Sequence, residues 1–225
     1  MSGAGGRTLV LIAPHPDDET LGCGGYLAQR AEAGDRIVIV VLTRGEKLFS
    51  LGLGIHAQPS PDEVAALRRE ESLRAVACLG LSANDLHFWD FPDQGLVDQA
   101  DTVVARLVPL LQAARPVEIL CTSECEGHPD HVAAARITRR ACRDAGLAAR
   151  IRWYITSLRE GLTPADLPFA VERIDIRAQL DRKTRAVAQF RAHLDCISPL
   201  QKQPICADFA AYLSGEETLS VPQPV

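Results

Sequence analysis

Residues 8–19 read TLVLIAPHPDDE, an apolar run that leads directly into one histidine and three consecutive carboxylates. The apolar run predicts a buried strand, so the charged residues stand where that strand leaves its sheet. Neighbouring carboxylates repel each other, and a divalent cation or the N-terminus of a helix beginning near Glu19 would offset the repulsion. This stretch alone favours neither interpretation.

A second cluster of the same kind, GHPDH, lies at residues 127–131, between the apolar run 117–122 and a helical pattern over 132–143. In a parallel sheet both junctions lie at the carboxyl edge, where open α/β folds bind ligands. Two histidines and one carboxylate form a catalytic zinc set that leaves one position for water. The two clusters together therefore predict a metal site. Spacing leaves several candidate ligands open: His15, Asp17, Asp18, His128, Asp130 and His131.

The rest of the chain alternates strand and helix patterns. Residues 37–42 form a continuous apolar run, which is typical of a strand covered on both faces. A helix over 19–33, closed by Gly34, separates this strand from the first one. Ser60-Pro61-Asp62-Glu63 is a strong helix start, and that helix is expected to reach Cys78. The pattern predicts an α/β protein with a three-layer Rossmann-like fold, a mostly parallel central sheet and one domain over residues 1–225.

Further along the chain, the same patterns predict additional strands, helices and irregular segments. The predicted strands are 86–89, 117–121, 151–156 and an edge strand at 171–176; the helices are 101–114, 132–144 and 178–193. A mobile loop is expected over 47–59 and an extended tail over 220–225.

Composition narrows the class of protein. Apolar residues make up 47% of the 225 residues, which argues against disorder. A net charge of −5 gives no electrostatic reason for binding nucleic acid or an anionic membrane. No apolar run reaches the roughly 18 residues needed to span a bilayer. The odd number of cysteines, seven, suggests reduced thiols, so we expect a cytoplasmic protein.

The glycines of Gly22-Cys23-Gly24-Gly25 resemble part of a dinucleotide-binding fingerprint. That fingerprint needs a third small residue, but Leu27 occupies the position. We therefore expect these glycines to let the first helix pack closely on the sheet.

The two His/Asp clusters, HPDDE at 15–19 and HPDH at 128–131, together resemble the paired signature of the LmbE/PIG-L-like N-acetylglucosaminyl deacetylases. The turn 43–46, the helix 68–80 and the loop 91–96 resemble further motifs of this family. The likeness runs from about residue 8 to about residue 137. Beyond it, residues 183–193 follow the family pattern only faintly, with Ala192-His193 where Ser-Gln is usual.

The resemblance implies a zinc-dependent enzyme that removes an N-acetyl group from an N-acetylglucosamine-type sugar or sugar conjugate. Zn²⁺, or another divalent ion such as Fe²⁺, is the implied cofactor, and the implied partner is a small N-acetylated sugar conjugate. The resemblance implies that His15, Asp18 and His131 are the metal ligands, that Asp17 is the general base and that His128 donates to the oxyanion. It also implies that Arg68 and Asp93 bind the substrate and that Asp130 orients a histidine.

The sequence contains three further histidines, and two alternative functions are compatible with it. His56, His87 and His193 are expected to be packed or solvated rather than catalytic. A metallophosphoesterase is an alternative, although such sites usually hold two metals with more ligands than these clusters supply. A non-catalytic sugar-binding or metal-binding module is another, against which stands Asp17, a carboxylate beyond the implied ligand set. Homo-oligomerisation stays open.

Overall fold

The computed structural model describes residues 6–224, and within them one sheet of eight strands organises the chain. The strands are β1 Thr8–Ala13, β2 Arg36–Thr43, β3 Leu86–Phe91, β4 Glu118–Thr122, β5 Arg150–Tyr154, β6 Val171–Asp175, β7 Glu216–Ser220 and β8 Gln223–Pro224. Their order is β3-β2-β1-β4-β5-β7-β6, with β8 paired to β5. The first five strands pair in parallel, and β6, β7 and β8 add antiparallel pairings. The predicted mostly parallel sheet, with an edge strand near residue 171, is confirmed.

Helices cover both faces of this sheet. They are α1 Asp18–Glu32, α2 Leu48–Leu53, α3 Pro61–Cys78, α4 Ala100–Ala114, α5 Pro129–Asp144, α6 Leu180–Val187 and α7 Arg191–Leu194. Helices α4 and α5 pack together on one side, while α1, α3 and α6 pack together on the other. The predicted three-layer Rossmann-like arrangement is therefore confirmed. None of the helices within residues 6–224 has the length and apolar character needed to cross a membrane.

The sequence of strand β1 is continuously apolar because both faces of the strand are buried. Val10 and Ile12 point into the core shared with α4 and α5, whereas Leu9 and Leu11 point into the core shared with α1. Both faces of the strand are buried, so no position is left for a polar residue. Strand β1 also lies between β2 and β4. The segments that follow β1 and β4 therefore leave the sheet side by side.

Helix α1 lies unusually close to the sheet because of its glycines. A Cβ atom built on Gly22 would lie 2.3 Å from the ring of Tyr154, and one built on Gly25 would lie 2.5 Å from Ile176. The helix is kinked at Cys23, where φ is −153° and ψ is 28°. The predicted close packing of these glycines is confirmed, because a side chain at either position would collide with its neighbour.

Helix α3 begins and ends where the sequence predicts. Ser60 caps its first turn with a reciprocal hydrogen bond to Glu63, and the helix ends at Cys78. The loop predicted over 47–59 is wrong in part, since it contains α2. The ring of Phe49 is buried in a small cluster with Ile55, and this tertiary contact stabilises a helix whose sequence has no helical period.

The single helix predicted over 178–193 is also wrong. It divides into a 3-10 turn at Arg177–Gln179, then α6 and α7, with non-helical backbone at Phe190, where φ is −79° and ψ is 63°. The buried ring of Phe190 packs edge-on against Phe209, so burial of this ring favours the break. The predicted extended tail pairs with β5 at Gln223–Pro224, and Val225 lies outside the described residues.

The glycine contacts predict different effects on stability for substitutions at Gly22 and Gly24. Gly22→Ala should destabilise the protein by about 1–3 kcal/mol, because the new methyl group overlaps Tyr154. Gly24→Ala is the matched control: its Cβ would lie at least 3.4 Å from its neighbours. It should be neutral or stabilising by up to about 1 kcal/mol through helix propensity. Urea unfolding of both variants measures the difference, and equal free energies of unfolding would contradict this account.

Candidate metal centre

The two histidine-containing motifs meet because β1 and β4 are neighbours. After β1 the chain turns through Pro14–Pro16, and Asp17 occupies the N-cap position of α1 without a capping hydrogen bond from its side chain. The φ of Asp17 is 126°, a left-handed value that is strained for any residue except glycine. After β4, His128 caps α5, and its Nδ1 accepts a hydrogen bond from the backbone N–H of Asp130 at 3.2 Å. Both motifs therefore project from helix N-termini at one edge of the sheet.

Three buried donor atoms form a compact triangle at this edge. His15 Nδ1 lies 3.1 Å from His131 Nε2 and 3.3 Å from Asp18 Oδ2, and His131 Nε2 lies 3.3 Å from the same oxygen. Tetrahedral ligands that bind zinc at about 2.0–2.1 Å are about 3.3 Å from one another. The predicted ligands thus have the mutual spacing that a single ion requires, so the residues present fit the implied metal.

Other potential ligand atoms belong to the same cluster. One further set joins His15 and His131 with His128, and another joins His15 with Asp93 and Asp130. In the second set, Asp93 Oδ1 and Asp130 Oδ2 each lie 3.3 Å from His15 Nε2, on the side of the ring away from the triangle. A histidine that ligates a metal generally presents its other ring nitrogen to a carboxylate. The position of Asp130 therefore suits its predicted role of orienting a histidine.

The electrostatics of the triangle favour positive charge beside Asp18. Burial opposes the charged form of His131, but the carboxylates of Asp18 and Glu126 outweigh it and raise its pKa to about 9. His15 likewise has a raised pKa, because contacts with Asp130, Asp18 and Asp93 outweigh burial. Burial would raise the pKa of Asp18, yet His131 and His15 hold it well below its ordinary value. A metal binding here would displace the imidazole protons.

His128 behaves differently from the other two histidines of the cluster. Burial, together with the nearby His15 and His131, lowers the pKa of His128 to about 4. Its ring is therefore neutral at pH 7. Because Nδ1 accepts the backbone hydrogen bond from Asp130, the single ring proton lies on Nε2. His128 can thus offer an N–H donor to a bound molecule.

Asp17 is held by Arg68 from α3. Arg68 Nη2 donates to Asp17 Oδ2 at 2.9 Å and to the carbonyl of Pro16 at 2.7 Å, while Nη1 donates to the carbonyl of Gly45 at 2.9 Å. The guanidinium is buried, with the side chain 5% exposed. These bonds stabilise the strained backbone around Asp17. The substrate-binding role predicted for Arg68 stays a prediction, and the contacts that the structure gives its guanidinium are internal.

Asp93 connects the neighbouring loops to the site. Its Oδ2 accepts a hydrogen bond from the backbone of Lys47 at 3.1 Å, and its own backbone N–H donates to the carboxylate of Glu46 at 3.1 Å. Asp130 in turn accepts hydrogen bonds from the backbone of Gln94 and Leu96. The loop after β3 is therefore held over the start of α5. The substrate-binding role of Asp93 also stays a prediction.

A cavity of about 350 Å³ opens beside the triangle. All the predicted site residues except Asp130 line it: His15, Asp17, Asp18, Arg68, Asp93, His128 and His131. Leu21, Leu48, Leu51, Phe209 and Tyr212 contribute the apolar part of its wall. The cavity therefore places polar, titratable groups on one side and apolar surface on the other, as a small-molecule site requires.

Two residues have contacts at the site that the sequence analysis did not predict. Glu126 accepts hydrogen bonds from the backbone of Thr156 at 2.6 Å and Ser157 at 2.7 Å, and its Oε2 lies 3.5 Å from His131 Nδ1. His193 lies with its Nε2 3.3 Å from Asp17 Oδ2, so the expectation that it is merely packed or solvated misses this contact. The position of Glu126 directly before Gly127-His128 was one available signal, and the departure at Ala192-His193 was the other.

The fold and this cluster define a class of protein: α/β proteins with a cluster of potential metal ligands at the carboxyl edge of the sheet. A family model described as PIG-L: GlcNAc-PI de-N-acetylase matches residues 10–142. The chain belongs to this family, so the resemblance seen in the two motifs is confirmed. Membership also confirms the predicted class of enzyme, a deacetylase that hydrolyses a linear amide.

Individual proteins show how far the similarity extends. The 1D-myo-inositol 2-acetamido-2-deoxy-alpha-D-glucopyranoside deacetylase of Acidothermus cellulolyticus is 30% identical over 234 residues, covering 83% of this chain and 78% of the relative. The N,N'-diacetylchitobiose deacetylase of Pyrococcus horikoshii has a TM-score of 0.71 at 19% identity, covering 97% and 84% of the two chains. GalB, the 4-carboxy-2-hydroxymuconate hydratase of Pseudomonas putida, has a TM-score of 0.65 at 21% identity, covering 82% and 78%. The two structural likenesses establish the fold, which is common to a deacetylase and a hydratase.

The contact between Glu126 and His131 predicts an effect on metal affinity. Glu126→Gln should weaken zinc binding about 10- to 100-fold, since it removes the carboxylate behind a predicted ligand. Glu124→Gln is the control, because among residues 6–224 the Glu124 carboxylate pairs with the exposed Arg136 and Arg139 and not with a histidine of the cluster. Competition with a chromophoric chelator measures both affinities. Equal zinc affinity in the two variants would show that Glu126 does not support His131.

Proposed function

We propose that this protein is a zinc-dependent N-deacetylase that removes an acetyl group from an N-acetylglucosamine-type sugar or sugar conjugate. The observation that carries the proposal is the triangle of His15, Asp18 and His131 donor atoms, 3.1–3.3 Å apart, beside the Asp17 carboxylate. Membership in the PIG-L family supports the amide-hydrolysing chemistry. The activity of the Acidothermus relative supports an acetamido sugar as the substrate.

In this proposal His15, Asp18 and His131 hold the metal. Two imidazoles and one carboxylate suit Zn²⁺, and Fe²⁺ could use the same donor set. A bound ion would polarise the acetamide carbonyl and lower the pKa of a coordinated water. The carboxylates of Asp93 and Asp130 would orient His15 from one side, and Glu126 would orient His131 from another.

Asp17 is the proposed general base. It lies outside the triangle, and its Oδ2 is bound by Arg68. Its other oxygen, Oδ1, accepts no hydrogen bond within the described part of the chain, and the side chain lines the cavity. Asp17 can therefore accept a proton from the attacking water and return it to the amine as the C–N bond breaks.

His128 is the proposed donor to the oxyanion of the tetrahedral intermediate. Its proton lies on Nε2, because Nδ1 accepts the Asp130 backbone hydrogen bond. A neutral N–H donor placed in advance stabilises the negative charge that develops on the former carbonyl oxygen. The hydrogen bond that caps α5 therefore also selects the tautomer that this step needs.

Asp93 is the better placed of the two proposed substrate-binding residues. Its side chain lines the cavity, and its Oδ1, which lies 3.3 Å from His15 Nε2, has a further lone pair that could accept a hydrogen bond from a sugar hydroxyl. Arg68 lines the same cavity, but its hydrogen bonds to Gly45, Pro16 and Asp17 make it first a support for the general base. Because Arg68 and Asp93 line the same cavity, we also propose that Arg68 contacts the sugar.

A metallophosphoesterase would use the residues differently. Such sites hold two ions about 3.5–4 Å apart that clamp both the attacking and the leaving oxygen. Here one compact triangle favours one ion, and the remaining carboxylates lie against the far side of His15. Metal stoichiometry therefore separates the two functions, and amide hydrolysis separates the proposal from a non-catalytic binding module.

The proposal is tested by metal content and by amine release. Zinc-loaded protein should hold one ion per chain and release a free amine from one or more N-acetylglucosamine conjugates. His131→Ala should lose both the metal and the activity, whereas His87→Ala, at an exposed position of β3, should keep both. Elemental analysis and a fluorescent amine assay measure these outcomes. Full metal occupancy in His131→Ala would refute the ligand set, and an inactive wild-type protein across the screen would refute the deacetylase.

Variants of the two proposed catalytic residues separate chemistry from coordination. Asp17→Asn should keep the metal and lower kcat by about 10²–10⁴, the usual size of a general-base loss. His128→Phe should keep the metal and lower kcat by about 10² or more, as for an oxyanion donor. The exposed Asp98→Asn should leave kcat unchanged. Loss of metal in Asp17→Asn would make Asp17 a ligand, and a wild-type kcat in His128→Phe would exclude the oxyanion role.

A further inference from the structure

His193 is held in a fixed place beside the site. Its ring packs against Phe209 with the ring centroids 5.6 Å apart, and its side chain is 11% exposed. Its backbone carbonyl accepts a hydrogen bond from Cys206 at 2.9 Å. The preceding Ala192 donates its N–H to the buried carboxylate of Glu71 on α3 at 2.7 Å. Helix α7 is thus anchored to α3, and the imidazole has little freedom to move away.

The imidazole approaches one particular atom of Asp17. His193 Nε2 lies 3.3 Å from Asp17 Oδ2, the same oxygen that accepts the Arg68 hydrogen bond at 2.9 Å. That oxygen is therefore enclosed between α3 and α7. Asp17 Oδ1 has no such neighbour in the described part of the chain and belongs to the side chain that lines the cavity. The two oxygens have different surroundings, one fixed and one available.

The surroundings of His193 define which ring nitrogen carries its proton. The ring is neutral, because burial and the nearby Arg68 guanidinium lower the pKa of His193 to about 3. A proton on Nδ1 would leave the lone pair of Nε2 facing a carboxylate oxygen, which is repulsive. A proton on Nε2 makes that nitrogen a donor toward Asp17 and leaves Nδ1, which is buried without a hydrogen-bond partner among residues 6–224, as an acceptor.

We propose that His193 is a positioning residue for Asp17: its Nε2–H and the Arg68 guanidinium hold Oδ2 from two sides, so that Oδ1 keeps one direction toward the reacting water. The inference rests on the proposed function, in which Asp17 is the general base. His193 also lines the cavity, but in this role it acts through Asp17 and not on the metal or the sugar. Its loss should therefore lower kcat and leave both KM and metal content unchanged, because a misdirected base slows the chemical step without weakening binding.

Two substitutions of His193 test the donor separately from the packing. His193→Phe keeps an aromatic ring against Phe209 but removes the donor, and it should lower kcat about 10- to 100-fold. His193→Gln supplies an amide N–H and should recover most of that loss. His56→Phe, at an exposed position, is the control for a new phenylalanine. Steady-state kinetics, elemental analysis and melting temperature are measured for all three.

The kinetic outcomes discriminate between the roles available to His193. A lower kcat with constant KM, one metal per chain and rescue by glutamine supports the proposal. A wild-type kcat in His193→Phe overturns it. A raised KM with constant kcat would make His193 a substrate contact, and equal losses in both variants would make it a packing residue. Each of these last two outcomes also overturns the proposal.

A second measurement requires neither enzymatic activity nor a folded variant of His193. Long-range proton–nitrogen NMR correlations of zinc-loaded, ¹⁵N-labelled protein report the tautomer of each histidine. The proposal expects His193 to carry its proton on Nε2 and the Nε2 resonance to move in Asp17→Ala. A proton on Nδ1, or an Nε2 resonance insensitive to Asp17→Ala, overturns the contact. An inactive wild-type protein with the expected NMR behaviour would refute the deacetylase while supporting the contact between His193 and Asp17.

Discussion

The burial of three consecutive carboxylates after β1 is the constraint on which the rest of the site depends. Asp17, Asp18 and Glu19 are 6%, 3% and 0% exposed, so water cannot screen their mutual repulsion. Each is accommodated differently. Arg68 pairs with Asp17, and two histidines face Asp18. Burial and the neighbouring Asp17 raise the pKa of Glu19 to about 8, so it is largely protonated at pH 7. Three adjacent acids therefore have three different environments, and such differences would allow one motif to supply both the proposed ligand and the proposed base.

Sheet topology joins residues that are distant in the chain. Because β1 and β4 are adjacent, His15 and His131 lie 3.1 Å apart although 116 residues separate them. Carboxylates behind these histidines also hold the surrounding loops: Asp130 binds the backbone after β3, and Glu126 binds the backbone after β5. The same side chains that would orient the ligands thus determine the position of the cavity walls. A change in either loop is therefore expected to affect the proposed metal ligands through one hydrogen-bonded carboxylate.

Residues from the C-terminal part of the chain form hydrogen bonds with the kinked helix α1. The kink at Cys23 frees backbone N–H groups, and the buried carboxylate of Glu217 accepts those of Gly25 and Tyr26, each at 2.7 Å. Lys183 pairs with Glu217 at 2.7 Å and also donates to the carbonyl of Leu21. Without these partners the kinked helix would bury unsatisfied polar groups. Lys183, from a segment with only a faint family pattern, and Glu217, from a segment beyond it, therefore fix the helix that begins at Asp18.

Patterns between near neighbours in the sequence were enough to predict the layers, the parallel sheet, the capped start of α3 and the two motifs that meet at the sheet edge. Apolar runs, proline positions and capping residues act over a few residues, so they can be recognised without the fold. The separations of the candidate ligands along the sequence did not predict which of them lie close enough in space to bind one ion.

The sequence also did not predict helix α2, the break at Phe190, or the contacts of Glu126 and His193. In each case the cause is a contact between distant segments: Phe49 with its buried cluster, Phe190 with Phe209, Glu126 with the backbone after β5, and His193 with Asp17. Local sequence determined which secondary structures form and where the reactive residues cluster. Tertiary packing alone decided which atoms of those residues face each other, because that depends on distances between segments that the chain order does not contain.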